Sequence, residues 1–364
     1  MSSEPPRVAF RVDGDAHRGM GHLSMCFSIG SLLQRELSAQ IDFLTLETSL
    51  HNSFVGEMRD RGFTFSTVNG GEPSREDPSI TQSHLMRLQP SLVVTDLLTV
   101  DPDDQDLLDN PDIEIMQVGE YISWVRALGI PVLSVTYDTT EVTFGPDILL
   151  APHPAQLDVS YPDDGAMRLL GPGYFVLGPD FSPFLKLERA IAAVPRKVVV
   201  IFGGSDPEQQ TLKAGHALAG LDGIEIVAVH GLGAAERAAT HAALGSLGIK
   251  TVAPVRDLAA LLWEADLVVT AGGNLLFELA ALGTPAVVLS TRQRQARNAD
   301  WFDRAGAVVH MGLGSGVSEA ALREAVLSLL SDPDRRLALS EAGRSAVNGR
   351  GSERVCAEVR QVLS

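Results

Sequence analysis

The segment HRGMGHLSMC, His17 to Cys26, sets two glycines and two histidines in a short bend behind a strand-like run, RVAFRVD. Gly19 and Gly21 permit backbone conformations that β-branched residues avoid, and they let a substrate approach the main chain. His22 follows where a helix begins. There the positive end of the helix dipole favours a neutral ring, which can take a proton from water or a sugar hydroxyl. A helix cap or a solvent-facing imidazole competes with that reading. His17 shares the bend but has no helix to orient it. Asp13 closes the strand and is positioned to orient His22 or a substrate hydroxyl, against the ordinary role of a turn aspartate. Arg11, on the same strand, is a candidate for substrate binding. Asp96, ending SLVVTD, and Asp138, ending PVLSVTYD, stand at strand ends where α/β proteins build sites, with turn and cap roles as the competing reading.

A second set of residues has the chemistry to hold a nucleotide. In GGSDP, Ser205 or Asp206 can cap a helix that Pro207 helps to start, leaving the amides of Gly203, Gly204 and Ser205 for a pyrophosphate. Asp206 is expected to point away from such a ligand. In TAGGNLLFELAALGTP, Gly272, Gly273 and Asn274 turn the chain into a helix that carries Glu278. A carboxylate there matches the two adjacent hydroxyls of a ribose, whereas dipole stabilisation of the first turn is the plainer role. Gln295 and Asn298, from TRQRQARNADW, complete the nucleotide candidates. The acidic run DPDDQD, Asp101 to Asp106, has a D-x-D look, but its context favours a solvated loop, and no metal or cofactor is expected.

The elements that must position these residues alternate along the chain. RVAFRV, IDFLTL, SLVVTD, PVLSVTY and DILLAP read as buried strands, with HLSMCFSIGSLLQREL and YISWVRALG as helices between them. GPGYFVLGPDFSPF, followed by a polar helix-like LKLERAIAAVPRK, reads as an interdomain connection. The pattern then restarts with KVVVIF, IEIVAVH, KTVAPV, ADLVVTAGG, TPAVVLS and AVVHMG, and three amphipathic helices follow from Ser318. Strands alternating with helices predict parallel sheets covered on both faces. The fold class is α/β, with two facing Rossmann-like domains and ligand loops at the strand ends. The expected divisions are residues 1–178 for a sugar- and acceptor-binding domain, 196–345 for a nucleotide-binding domain and 346–364 for a C-terminal helix. Neither glycine turn is a G-x-G-x-x-G or Walker motif.

Composition narrows the partners. The 364 residues carry a formal charge of −17, which argues against broad binding of nucleic acid or anionic membrane. A phosphate-bearing ligand then needs a local patch of amides, helix starts or arginines. No apolar run is long enough for membrane insertion, and the two cysteines lack metal or disulfide spacing, so a reduced cytoplasm is the expected location. Oligomeric state is not legible.

RVDGDAHRGMGHLSMC, RLLGPGYFVLGPDF, FGGSDP and AGGNLLFELAALGTPAVVL resemble, in order, the UDP-sugar hydrolases of pseudaminic acid biosynthesis and the related spore-coat polysaccharide proteins. A more distant likeness is to the N-acetylglucosaminyltransferase that makes lipid II. The resemblance implies GT-B architecture, with the nucleotide held by the C-terminal domain. It implies a metal-independent, inverting cleavage of the anomeric C–O bond by water, with His22 as base, Asp13 beside it and Glu278 on the nucleotide. The chain departs from the family pattern at Met25, Tyr137 and His153, all in the half expected to face the sugar. Hydrolysis of a nucleotide sugar is therefore the leading expectation. The alternative is a glycosyltransferase in which His22 deprotonates a small-molecule acceptor.

Overall fold

The computed structural model describes residues 4–14, 20–51, 53–69, 76–97, 118–137, 145–161, 163–203, 206, 208–229, 234–252 and 257–364. Its first sheet has seven parallel strands in the order β3-β2-β1-β4-β5-β6-β7. These are β1 (Arg7–Val12), β2 (Gln40–Thr45), β3 (Thr64–Thr67), β4 (Leu92–Asp96), β5 (Val132–Val135), β6 (Ile148–Ala151) and β7 (Met167–Leu170). The central strands are largely apolar without alternation because helices cover both faces, and most of their side chains are buried. Helices α1 (Gly21–Leu37), α2 (Ser53–Asp60), α3 (Pro78–Leu88) and α4 (Val118–Ala127) accompany this sheet. Asp77 starts α3 by accepting the Ser79 amide at 2.9 Å, and Pro78 occupies the first turn.

The second sheet has six parallel strands, β10-β9-β8-β11-β12-β13. They are β8 (Lys197–Ile201), β9 (Glu225–Val229), β10 (Lys250–Val252), β11 (Leu267–Thr270), β12 (Ala286–Ser290) and β13 (Val309–Leu313). Its helices are α5 (Gln210–Leu218), α6 (Ala234–Ser246), α7 (Leu258–Glu264), α8 (Leu275–Leu282), α9 (Gln293–Arg304), α10 (Glu319–Ser331) and α11 (Pro333–Ala346), and the last helix of the chain is α12 (Gly351–Val362). Ser318 caps α10 through the Ala321 amide, and Asp332 caps α11 through the Arg335 amide, ahead of Pro333.

The chain forms two units, Met1–Pro179 with Arg350–Ser364, and Asp180–Gly349. The last helix thus returns to the first unit, where Arg360 donates to the Glu36 carbonyl at 2.9 Å. Gly351 allows that return, since a Cβ on it would lie 2.1 Å from the Phe175 carbonyl oxygen. Two sequence expectations need correction. LKLERAIAAVPRK is not helical: its carbonyls are taken by arginines, Leu185 and Leu187 by Arg344 at 3.0 and 2.9 Å, and Ala192 by Arg336 at 2.5 Å. Those bonds replace the intrahelical ones that a helix would have made. Strands β3 and β7 are additions. Both are edge strands with partly exposed side chains, so neither shows the continuous apolar run that marks the centre of the sheet.

In each sheet the chain order reverses beside the first strand. Strand β1 lies between β2 and β4, and β8 lies between β9 and β11. A parallel sheet opens a ligand crevice at the carboxyl ends on either side of such a reversal. The candidate residues of both units come from those ends.

Candidate active site

Val12 of β1 pairs with Asp96 of β4, so the last residues of these strands emerge side by side. The chain leaving β1 returns as α1, which places His22 at the second helical position. Its Nδ1 lies 2.6 Å from Asp96 Oδ1, and both groups are buried. An ionised carboxylate can only accept, so Nδ1 carries the proton and Nε2 keeps a lone pair. The other carboxylate oxygen accepts from the Tyr137 hydroxyl at 3.2 Å and lies 3.9 Å from the Cys26 sulfur. Burial first, and then the nearby Asp96 charge, push the Cys26 thiol well up, so it stays protonated. The Tyr137 ring meets His22 edge-on at 5.0 Å between centroids and His153 at 4.7 Å. The row His22, Asp96, Tyr137, His153 thus crosses the carboxyl ends of adjacent strands: Asp96 ends β4, Tyr137 and His153 follow β5 and β6 by two residues, and His22 comes from the start of α1, the helix after β1.

Asp13 does not orient His22. Its Oδ1 accepts from the Leu46 amide at 2.8 Å and the Thr45 hydroxyl at 3.1 Å, and its Oδ2 pairs with Arg11 Nη1 at 2.8 Å. Arg11, expected to bind substrate, is enclosed. Its Nε and Nη2 donate to Glu76 Oε2 at 3.0 and 2.8 Å. Burial works against the Arg11 cation, but Asp13 and Glu76 outweigh it, so its pKa is raised. The strand end needed a carboxylate to hold this guanidinium, and that requirement uses up both candidates. Asp96 has the task expected of Asp13. Gly21 is the first residue of α1, while His17, Gly19, Asp138 and the run Asp101 to Asp106 lie outside the described residues.

The second unit presents a different surface. Gly203, at the end of β8, has a φ of +86° that a side chain would strain. Gly204 and Ser205 lie outside the described residues. Asp206 points into its own helix, accepting the amides of Gln210 at 2.8 Å and Thr211 at 2.7 Å. After β11, Gly272 comes so close to the start of α9 that a Cβ there would meet the Gln295 carbonyl oxygen at 2.3 Å. Asn298 donates to the Gly272 carbonyl at 3.3 Å, while its own Oδ1 is buried with no partner among the described residues. Gln295 Oε1 accepts from the Thr291 amide and hydroxyl at 3.0 and 2.8 Å. Gly272, Gln295 and Asn298 are therefore brought together, with Gly273 and Asn274 leading into α8. Glu278, one turn into α8, is partly buried and hydrogen-bonded to no described residue. Burial among apolar neighbours pushes its carboxyl up to about 8.

Behind this turn stands a group that the sequence did not single out. Ser290 Oγ is 3.0 Å from His310 Nε2, and His310 Nδ1 is 2.7 Å from Asp300 Oδ1. These are the partners of a nucleophilic triad, but Ser290 is fully enclosed and lies 2.9 Å from the position of a Cβ on Gly272. The row buttresses the turn. Among the described residues no group of three or more His, Cys, Asp or Glu is placed to hold a metal, and no helix is long and apolar enough to cross a membrane.

Residues 198–350 match the glycosyltransferase family 28 C-terminal domain. The spore coat polysaccharide biosynthesis protein SpsG of Bacillus subtilis is 30% identical over 191 residues, covering 51% of this chain and 56% of that protein. The UDP-N-acetylglucosamine–N-acetylmuramyl-(pentapeptide) pyrophosphoryl-undecaprenol N-acetylglucosamine transferase of Xanthomonas axonopodis is 33% identical over 167 residues. That match covers 43% of this chain and 38% of the transferase, so the chain spans about half or less of each of these two curated relatives. Among solved structures, Acinetobacter baumannii MurG superposes with a TM-score of 0.65 at 16% identity, over 98% of this chain and all of that one. The glycosyltransferase of kitacinnamycin does so with 0.61 at 17% identity, over 99% of this chain and 100% of that one.

The fold is of the GT-B class. Hydrolysis, the leading expectation from the sequence, is corrected by these findings: the matching domain is a glycosyltransferase domain, and the relatives are a polysaccharide biosynthesis protein and sugar transferases. The physical reason for the error is plain. A base on a glycine bend serves a water molecule and an acceptor hydroxyl alike, so the residues around His22 do not distinguish the two.

Proposed function

We propose that the chain is a glycosyltransferase that moves a sugar from a nucleotide donor, with UDP the leading nucleotide, to a small-molecule acceptor. The observation that carries the reading is the family match over residues 198–350, which covers every described nucleotide candidate from Gly203 to Asn298. In that assignment the Gly203 and Gly272–Gly273 turns and the start of α8 offer amides to the diphosphate. Ionised Glu278 accepts the two ribose hydroxyls, and the unpartnered Asn298 Oδ1 is free to accept from the nucleotide.

His22 is the base. Its Nε2 removes the acceptor proton as the acceptor oxygen bonds to the anomeric carbon, and the anomeric C–O bond breaks with its electrons passing to the nucleoside diphosphate. Asp96 holds the ring in the tautomer this step needs and faces the imidazolium that forms. Configuration at the anomeric carbon inverts. Incubation with a panel of nucleotide sugars, with and without candidate acceptors, followed by mass spectrometry of the products, tests the reading. Donor consumption that depends on acceptor supports it. Rapid conversion of the donor to free sugar, unaffected by any acceptor, contradicts it.

A further inference from the structure

We propose that Tyr137 is a positioning residue that locks Asp96 against His22, so that the imidazole keeps its proton on Nδ1 and its lone pair on Nε2. The inference rests on the transferase reading only for its kinetic consequence. Its structural content stands on the contacts of Asp96.

A carboxylate that receives one hydrogen bond can rotate about its Cβ–Cγ axis until neither oxygen stays aligned with the ring N–H, which loosens its hold on the tautomer. Asp96 cannot do so freely, because each oxygen has its own donor: Oδ1 the His22 ring at 2.6 Å, Oδ2 the Tyr137 hydroxyl at 3.2 Å. The Cys26 thiol stands 3.9 Å from Oδ2 and is too weak a donor to replace a phenol. Tyr137 also limits the ring itself, since its edge-on contact with His22 restricts how far the imidazole can turn. The phenol is fixed in turn by the His153 ring, 4.7 Å away. Among the described residues, Tyr137, Cys26 and, one ring further, His153 face the His22 and Asp96 pair. All are buried, so the pair is shielded from water that would compete for the carboxylate.

A packing role alone would be satisfied by phenylalanine, which keeps both ring contacts. A positioning role would not. The test is the ¹⁵N spectrum of the His22 imidazole in the full chain without substrate, for wild type, Tyr137→Phe and Tyr137→Met. The wild type is expected in the Nδ1–H form. Both variants are expected to show a substantial Nε2–H fraction, together with a kcat lower by about three- to tenfold and an unchanged donor KM. The methionine variant, whose flexible chain fills the space, carries the test should phenylalanine fail to fold. 3-Fluorotyrosine at position 137, which restores the donor, is expected to return the wild-type tautomer.

A wild-type tautomer in a folded Tyr137→Phe or Tyr137→Met chain overturns the proposal. A tautomer shift with unchanged kcat supports the positioning role and removes His22 from the reaction, so the two readings fail separately.

Discussion

The cluster around His22 and the glycine turns that carry Asn298 and Glu278 differ in how their polar groups are partnered. Around His22 the candidate side chains of the first unit are paired with one another: His22 with Asp96, Asp96 with Tyr137, Arg11 with Asp13 and Glu76. In the second unit the glycine turns expose backbone, Glu278 lacks a described partner, and the Asn298 oxygen is buried without one. Internal pairing fixes the position and proton of each group, which is what a base requires. Unmet hydrogen-bonding capacity costs stability and is recovered when a ligand supplies the partner, which is what a binding surface requires. In the function proposed above, proton chemistry falls to the first unit and ligand recognition to the second.

The largest effect should come from breaking the paired side at its base. His22→Ala is expected to lower kcat by about 10²–10⁴-fold, the usual range for loss of a general base. Steady-state kinetics with a competent donor and acceptor measure it, and a variant within twofold of wild type would exclude the assignment.

Arg11→Met tests the same pairing as stability. It leaves two carboxylates enclosed without their cation, so the first unit should lose about 3–5 kcal/mol, read from denaturant unfolding. A loss below about 1 kcal/mol would mean that the guanidinium is replaceable by water.

Glu278 sharpens the other side. Burial holds its pKa near 8 in the folded chain, above the 4.5 of an ordinary glutamate. The sign follows from proton uptake: stability from the neutral carboxyl is complete below 4.5 and is lost as pH rises through about 8. Glu278→Gln, which cannot ionise, should therefore melt with wild type at pH 4 and a few degrees above it at pH 9. Nucleotide binding should show the reverse if, as proposed, the ionised form accepts the ribose hydroxyls. Donor affinity should rise through pH 8 in wild type and stay flat in the glutamine variant, about tenfold weaker at pH 9. A pH-independent donor affinity in wild type would break the comparison.

The smallest effect belongs to a residue that both sides share in kind, a helix cap. Asp206→Ala frees two amides at the start of α5 and should cost the second unit about 1 kcal/mol, read as a lower melting temperature. Donor affinity should change little, because the carboxylate faces its own helix.

What could be read in advance follows the range of the interactions involved. The central strands and most helices were legible, because burial on both faces writes continuous apolar runs and caps such as Ser318 and Asp332 are local. Edge strands β3 and β7 were not, since half their surface answers to solvent. His22 and Glu278 could be singled out from the glycine turns beside them. The partner of His22 could not: Asp13 is near in sequence, but strand order places Asp96, 74 residues away, against the ring. Tyr137 showed only as a departure from a family pattern, and Glu76 lies 65 residues from Arg11 with no local signal. His310 shows the same limit, because its row with Ser290 and Asp300 exists only once β12, β13 and α9 are packed.

The division of labour can be tested most directly by calorimetric titration of a competent nucleotide-sugar donor into wild type, His22→Ala and Glu278→Ala at pH 9. The account predicts a dissociation constant within about twofold of wild type for His22→Ala, and about tenfold weaker binding for Glu278→Ala. Donor binding that collapses in His22→Ala while surviving intact in Glu278→Ala would contradict it.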